Sequence, residues 1–217
     1  MIKAIIFDMD GVIINTQKLY DIYELNLFKK LTNNKWSFKD QLSIQGRSYN
    51  EIYKIIQRKY HIKTTKKEYY KKYEIVHGFV YGKECKLISG VINLIEDLYS
   101  KKYILALASS TSHKYINKVL VKFKLHMYFK EVVSGDDTNG KSKPEPDIFL
   151  LTAKKLNLNP KECLVIEDSN NGVTAAKKAG MFCIQFNKLK KKKPPYPDLQ
   201  ITKFKNLSIL EIIKNLT

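Results

Sequence analysis

From residue 90 onward the chain alternates between short unbroken apolar runs and stretches with helical spacing, and this alternation limits the fold more than any other feature. Val91, Leu94, Ile95 and Leu98 fall on one helical face over 90–99. A strand follows over 104–108. A helix over 113–123 carries Ile116, Val119 and Leu120, and Val132-Val133 reads as a short strand. A helix over 147–156 starts after Pro144-Glu145-Pro146, and Asp147 is read as its N-cap. The run 163–166 is a strand, 170–179 a helix ended by Gly180, and 182–186 a strand. A final helix is expected over 207–216. Strands that alternate with helices, apolar on both faces, form a parallel sheet covered by helices on each side.

The first strand of that sheet opens the chain. Lys3-Ala4-Ile5-Ile6-Phe7 runs directly into Asp8-Met9-Asp10-Gly11. Between it and residue 83 the texture changes. Tyr and Lys are frequent, and the apolar residues follow helical spacing: Leu25, Leu27, Phe28 and Leu31, then Ile52, Ile55 and Ile56. Residues 16–82 are therefore read as an all-helical insertion, leaving 1–15 and 83–217 as one α/β unit.

Ligands of open α/β sheets sit at the carboxyl ends of the strands. Those ends carry Asp8 and Asp10, then Ser109 and Ser110, then Lys143 in the loop after Val133, then Glu167 and Asp168. Carboxylates gathered in one pocket cannot all stay ionised without a cation. Magnesium prefers oxygen ligands and bridges to phosphate. A carboxylate can attack phosphorus, and a second one can give a proton to the leaving oxygen and later take one from water.

Four segments, taken together, resemble the haloacid dehalogenase-like hydrolase superfamily. They are Asp8-x-Asp10-Gly11-Val12, Ser109, Lys143-Pro144-x-Pro146-Asp147, and Glu167-Asp168-Ser169-x-x-Gly172, in that order along the chain. Asp-x-Asp-Gly alone would be a weak signal; four ordered motifs at four strand ends are not. The resemblance is to the phosphatase and β-phosphoglucomutase-like group. It implies an α/β fold, with a Rossmann-like parallel sheet core and an inserted helical cap at 16–82. It implies Asp8 as nucleophile and Asp10 as general acid/base. It implies magnesium on Asp8, the Asp10 main-chain carbonyl and Asp168, with Glu167 a ligand or acting through water. Ser109 and Lys143 would bind the transferring phosphate, helped by the amides of Met9 and Ser110. In the cap, Gly46-Arg47-Ser48 falls where related phosphatases meet substrate, which makes Arg47 the specificity candidate. Tyr20 stands where the sugar-phosphate mutases tend to carry histidine. Ser110, Thr111 and Ser112 are read as helix caps, and His61, His77, His113 and His126 as surface or structural residues. Gly11 and Gly172 are read as sites of close backbone packing.

The expected activity is a magnesium-dependent phosphatase acting on a small phosphorylated metabolite through an aspartyl-phosphate. A β-phosphoglucomutase-like phosphotransferase is the alternative. A haloacid dehalogenase needs neither Asp10 nor a metal. A binding module with an idle core would have no use for the full catalytic set. The formal charge of +18 is compatible with nucleic acid, anionic membrane or phosphorylated ligands. The lysines are spread through every segment, with one run at 190–193, and the abundance of Lys, Asn, Ile and Tyr is what A/T-rich codons produce. The charge is thus read as compositional, and nucleic acid is not the expected partner. No apolar run reaches the ~18 residues of a membrane helix. The first residues turn acidic too soon for a signal peptide. Cys85, Cys163 and Cys183 are too few and scattered for a disulfide framework or zinc site. The expectation is a cytoplasmic protein, a monomer or weak dimer.

Overall fold

The structure, a computed structural model, describes residues 1–44, 47, 49–186, 196–204 and 211. Among these residues six parallel strands form one sheet in the order β3-β2-β1-β4-β5-β6. They are β1 (Ala4–Phe7), β2 (Ile104–Ser109), β3 (Glu131–Ser134), β4 (Cys163–Glu167), β5 (Phe182–Phe186) and β6 (Leu199–Ile201). β1 is central. Phe7 is level with Leu107 of β2 and with Ile166 of β4, so the first residues after β1 emerge beside the ends of both neighbours. The short edge strand β6 was not foreseen; three half-buried residues carry no apolar run.

Alternate residues of each strand enter opposite layers, as pleating requires. Ile5, Phe7, Leu105, Leu107, Leu164 and Ile166 pack against α5 (Val91–Ser100) and α6 (His113–Lys122). Ala4, Ile6, Ala106, Ala108, Cys163 and Val165 pack against α7 (Asp147–Leu156) and α8 (Asn170–Lys178). Every residue of β1 is fully buried, which is why it reads as a continuous apolar run. All three cysteines are buried and free. Pro146, not Asp147, occupies the N-cap position of α7; Asp147 is its first residue, and its Oδ1 accepts from Lys141 Nζ at 2.8 Å. The expected tail helix over 207–216 lies, Glu211 apart, outside the described residues, as does the lysine run 190–193.

Between β1 and α5 the described residues form four helices: α1 (Gln17–Leu31), α2 (Phe38–Ile44), α3 (Tyr49–Tyr60) and α4 (Lys66–Val80). Thr65 and Glu68 form a reciprocal capping box that starts α4. These helices have a core of their own, built on Phe28, Trp36, Ile56, Tyr69 and Tyr73. The block is not wholly separate, because Leu19, Val76, Val80 and Tyr81 belong to the cluster under the sheet. No helix among the described residues is long and apolar enough to cross a membrane.

Candidate active site

The ends of β1, β2 and β4 deliver Asp8, Ser109 and Glu167 to one pocket, and the loop between β3 and α7 adds Lys143. Lys143 is 1 % exposed, an unusual condition for an ammonium that the geometry explains. Its Nζ donates to Asp8 Oδ1 at 2.5 Å and to Glu167 Oε1 at 2.6 Å. Glu167 Oε2 accepts from the backbone N and the Oγ of Ser169 at 2.7 and 3.0 Å. Both oxygens of Glu167 are thus engaged within the protein.

Two glycines permit this crowding. A Cβ on Gly172 would stand 1.8 Å from the Glu167 carboxyl, and one on Gly11, at φ +84°, would stand 2.0 Å from Asp168 Oδ2.

Asp10 is held by hydroxyls. Thr16 and Tyr81 each donate to its Oδ1 at 2.9 Å, and Thr111 donates to Oδ2 at 2.8 Å. Ser109 Oγ makes a longer 3.5 Å contact with Oδ2 and accepts from the Thr111 N–H at 3.2 Å. Thr16 directly precedes α1 and Tyr81 directly follows α4, so both ends of the helical block are tied to this one carboxylate. Tyr20 approaches Tyr81 hydroxyl to hydroxyl at 2.7 Å.

The charges do not balance without a further cation. Burial, with Glu167 and Asp10 adding to it and Lys143 opposing it, pushes Asp8 up to about 8. Burial and then Glu167 and Asp8 hold Asp168 well above the ordinary carboxylate range. Burial also raises Asp10, against its hydroxyl donors. Burial works against charge on Lys143, but Asp8 and Glu167 outweigh it and keep the ammonium ionised. Asp8, Glu167 and Asp168 each present an oxygen, all within 4.8 Å of one another. An all-oxygen set of excess negative charge suits a hard divalent cation, so the residues fit the magnesium that the motifs imply.

Sequence reading missed several residues of this pocket. Thr111, read as a cap, bonds Asp10 directly. Glu24, Gln41, Tyr49, Tyr73 and His77 line the pocket from the helical block, beside Tyr20, whose position the resemblance singles out. His77, read as surface or structural, is buried there, and burial, opposed by nearby Glu74, pushes its pKa down to about 4. Their spacing on amphipathic helices is that of a core face, so no local signal separates a pocket wall from a core. Arg47 does reach the pocket wall, its Nε donating to the Ser43 carbonyl at 3.1 Å; Gly46 and Ser48 lie outside the described residues.

A buried carboxylate paired with a lysine, a second carboxylate ringed by hydroxyl donors, and three carboxylates that could hold a cation are an arrangement able to carry phosphoryl transfer. Comparison with known proteins agrees. The family model for haloacid dehalogenase-like hydrolases matches residues 5–186. A phosphorylated carbohydrates phosphatase of Thermotoga maritima is 32 % identical over 82 % of this chain and 82 % of its own. A probable pseudouridine-5'-phosphatase of Saccharomyces cerevisiae is 30 % identical over 84 % of this chain and 81 % of its own. The crystal structure of β-phosphoglucomutase from Clostridium difficile superposes with a TM-score of 0.81 at 26 % identity, covering 100 % of this chain and 97 % of that one. The chain belongs to the haloacid dehalogenase-like hydrolases, and within them it is a phosphoric monoester hydrolase.

Proposed function

We propose that the protein is a magnesium-dependent phosphatase of a small phosphorylated metabolite, working through an aspartyl-phosphate on Asp8. The observation that carries this reading is the convergence of Asp8, Asp10, Ser109, Lys143, Glu167 and Asp168 in one pocket roofed by the helical block. Magnesium on Asp8, the Asp10 carbonyl and Asp168 would neutralise the carboxylates and draw the phosphate toward them. Glu167, with both oxygens occupied, fits the role that acts through water, while it aims Lys143. Residues 16–82 act as the cap over a core of 1–15 and 83–217.

The chain's own groups then divide the work. Ser109 and Lys143 hold phosphate oxygens. Asp8 attacks phosphorus, and the bond to the leaving oxygen breaks. Asp10 carries a proton on Oδ2, where the Ser109 contact is long, and gives it to that oxygen. It then takes a proton from water as the water attacks phosphorus, and the Asp8–phosphorus bond breaks. Arg47 contributes to substrate choice from the wall.

The structural likeness to a β-phosphoglucomutase supports one alternative, phosphotransfer from the same aspartyl-phosphate to a second sugar hydroxyl. Tyr20 weighs for hydrolysis, because its hydroxyl is engaged with Tyr81 and a phenol is a poor base near neutral pH. The test is incubation with β-glucose 1-phosphate and magnesium, against an EDTA control. Free phosphate without glucose 6-phosphate is the expected product. Rapid glucose 6-phosphate formation that requires a bisphosphate primer would replace phosphatase by mutase.

A further inference from the structure

The pocket has a second end that the catalytic steps do not use. Gln17, Tyr20 and Glu24 follow the i, i+3, i+7 spacing of one helical face, and α1 turns that face into the cavity. Glu24 is 5 % exposed. The Tyr73 hydroxyl donates to its Oε1, and Gln41 Nε2 donates to its Oε2 at 2.5 Å. Gln41 is itself oriented by Trp36, whose Nε1 donates to its Oε1 at 2.9 Å. Among the described residues no cation pairs with Glu24. A buried carboxylate without a counter-charge is destabilising, and burial pushes this one up to about 7 despite its two donors. Accepting from two donors accounts for two acceptor oxygens at this position but not for their placement on a cavity wall.

We propose that Glu24 is the residue that selects the substrate, accepting hydrogen bonds from hydroxyls at the far end of a sugar-sized phosphate ester. This rests on the phosphatase reading and specifies its substrate. Each carboxylate oxygen has two acceptor positions, so one on each remains after Tyr73 and Gln41 are bound. Two adjacent acceptors match two neighbouring hydroxyls. The rest of this wall is neutral, polar at Gln17, Tyr20, Tyr49 and His77 and apolar at Ile44 and Ile52, and Arg47 stands in the same pocket, which disfavours a ligand carrying an ammonium. Length sets the size. Tyr20 is linked through Tyr81 to Asp10, and Glu24 lies one turn further on, about 6 Å along the helix. A leaving alcohol that begins at Asp10 and reaches Glu24 is of pentose or hexose size; a two-carbon alcohol stops short.

Two measurements test this. The first is kcat/KM with magnesium for ribose 5-phosphate, glucose 6-phosphate, acetyl phosphate and phosphoethanolamine in the wild type, Glu24→Gln and Glu24→Asp. Glu24→Gln is expected to lower the sugar phosphates by about 10- to 100-fold, mostly through KM. That loss exceeds the loss on acetyl phosphate at least tenfold, and Glu24→Asp falls between. Equal losses on acetyl phosphate and the sugar phosphates overturn the proposal. So does a wild type that prefers phosphoethanolamine and loses it in Glu24→Gln. The second measurement does not depend on turnover. Trp36 is the chain's one tryptophan and touches Glu24 through Gln41, so its fluorescence reports on this end of the pocket. In an Asp8→Asn background, titration with either sugar phosphate is expected to give a saturable change that Glu24→Gln removes. No change, or the same change in both proteins, overturns the assignment. A Glu24-dependent signal from sugar phosphates that the wild type does not hydrolyse would remove the phosphatase reading and leave Glu24 in place.

Discussion

The two ends of this pocket are built on opposite electrostatic plans. At the strand ends, charge is concentrated: Asp8, Glu167 and Asp168 crowd around one ammonium, and backbone geometry sets their positions. At the helical wall, charge is scarce. Glu24 is buried there and held by the neutral donors Tyr73 and Gln41, and His77 is packed against tyrosine rings. The first plan suits a reaction common to many phosphate esters; the second suits discrimination among their alcohols. The predictions below separate the two.

The largest effect is expected at the strand ends. Asp8→Asn removes the proposed nucleophile and should lower turnover of every phosphate ester by more than ~10³-fold with the fold intact by circular dichroism. Turnover within tenfold of wild type would remove the covalent mechanism. Asp10→Asn should cost ~10²–10⁴-fold on sugar phosphates, whose alkoxide leaving groups need a proton, and far less on p-nitrophenyl phosphate. Equal losses on both would assign Asp10 a structural role only.

The same contrast decides what the sequence reveals. Asp8, Ser109 and Glu167 are legible because each closes an apolar run that can only be a buried parallel strand, and Lys143 because Pro144 and Pro146 mark its loop. Thr111 is not, since Ser109-Ser110-Thr111-Ser112 before a helix looks like a choice of caps. Glu24, Tyr73 and His77 are hidden for a deeper reason. A helix face that lines a cavity has the same period as one that lines a core, and only the tertiary arrangement of four helices shows which it is. β6 escaped notice because three half-buried edge residues carry no pattern.

Magnesium should act on one end only. A ligand at a hundredfold its Kd adds about 2.7 kcal/mol, which for a chain of this size raises Tm by roughly 5–10 °C. Wild type and Glu24→Gln should both show that rise in magnesium over EDTA, and Asp168→Asn should not. A magnesium response that survives in Asp168→Asn would move the cation away from the strand ends.

The smallest expected effect belongs to the helical wall and depends on sign. Burial raises Glu24 from an ordinary 4.5 to about 7, so between those values the folded state holds a proton that the unfolded state releases. Its contribution to stability therefore falls as pH rises through that window. Burial lowers His77 from 6.5 to about 4, so there the unfolded state binds the extra proton and stability falls as pH drops. The two windows overlap and the slopes oppose, each about 2 kcal/mol between pH 7 and 4.5. In the wild type they largely cancel. Glu24→Gln leaves His77 unopposed, so on going from pH 7 to 4.5 it should lose about 2 kcal/mol relative to wild type. His77→Gln should gain about as much over the same range. Urea denaturation at the two pH values reads both differences, and groups outside the wall drop out because all three proteins share them. Parallel profiles for the three would mean that these groups titrate as they do in the unfolded chain, and that the wall is open to water.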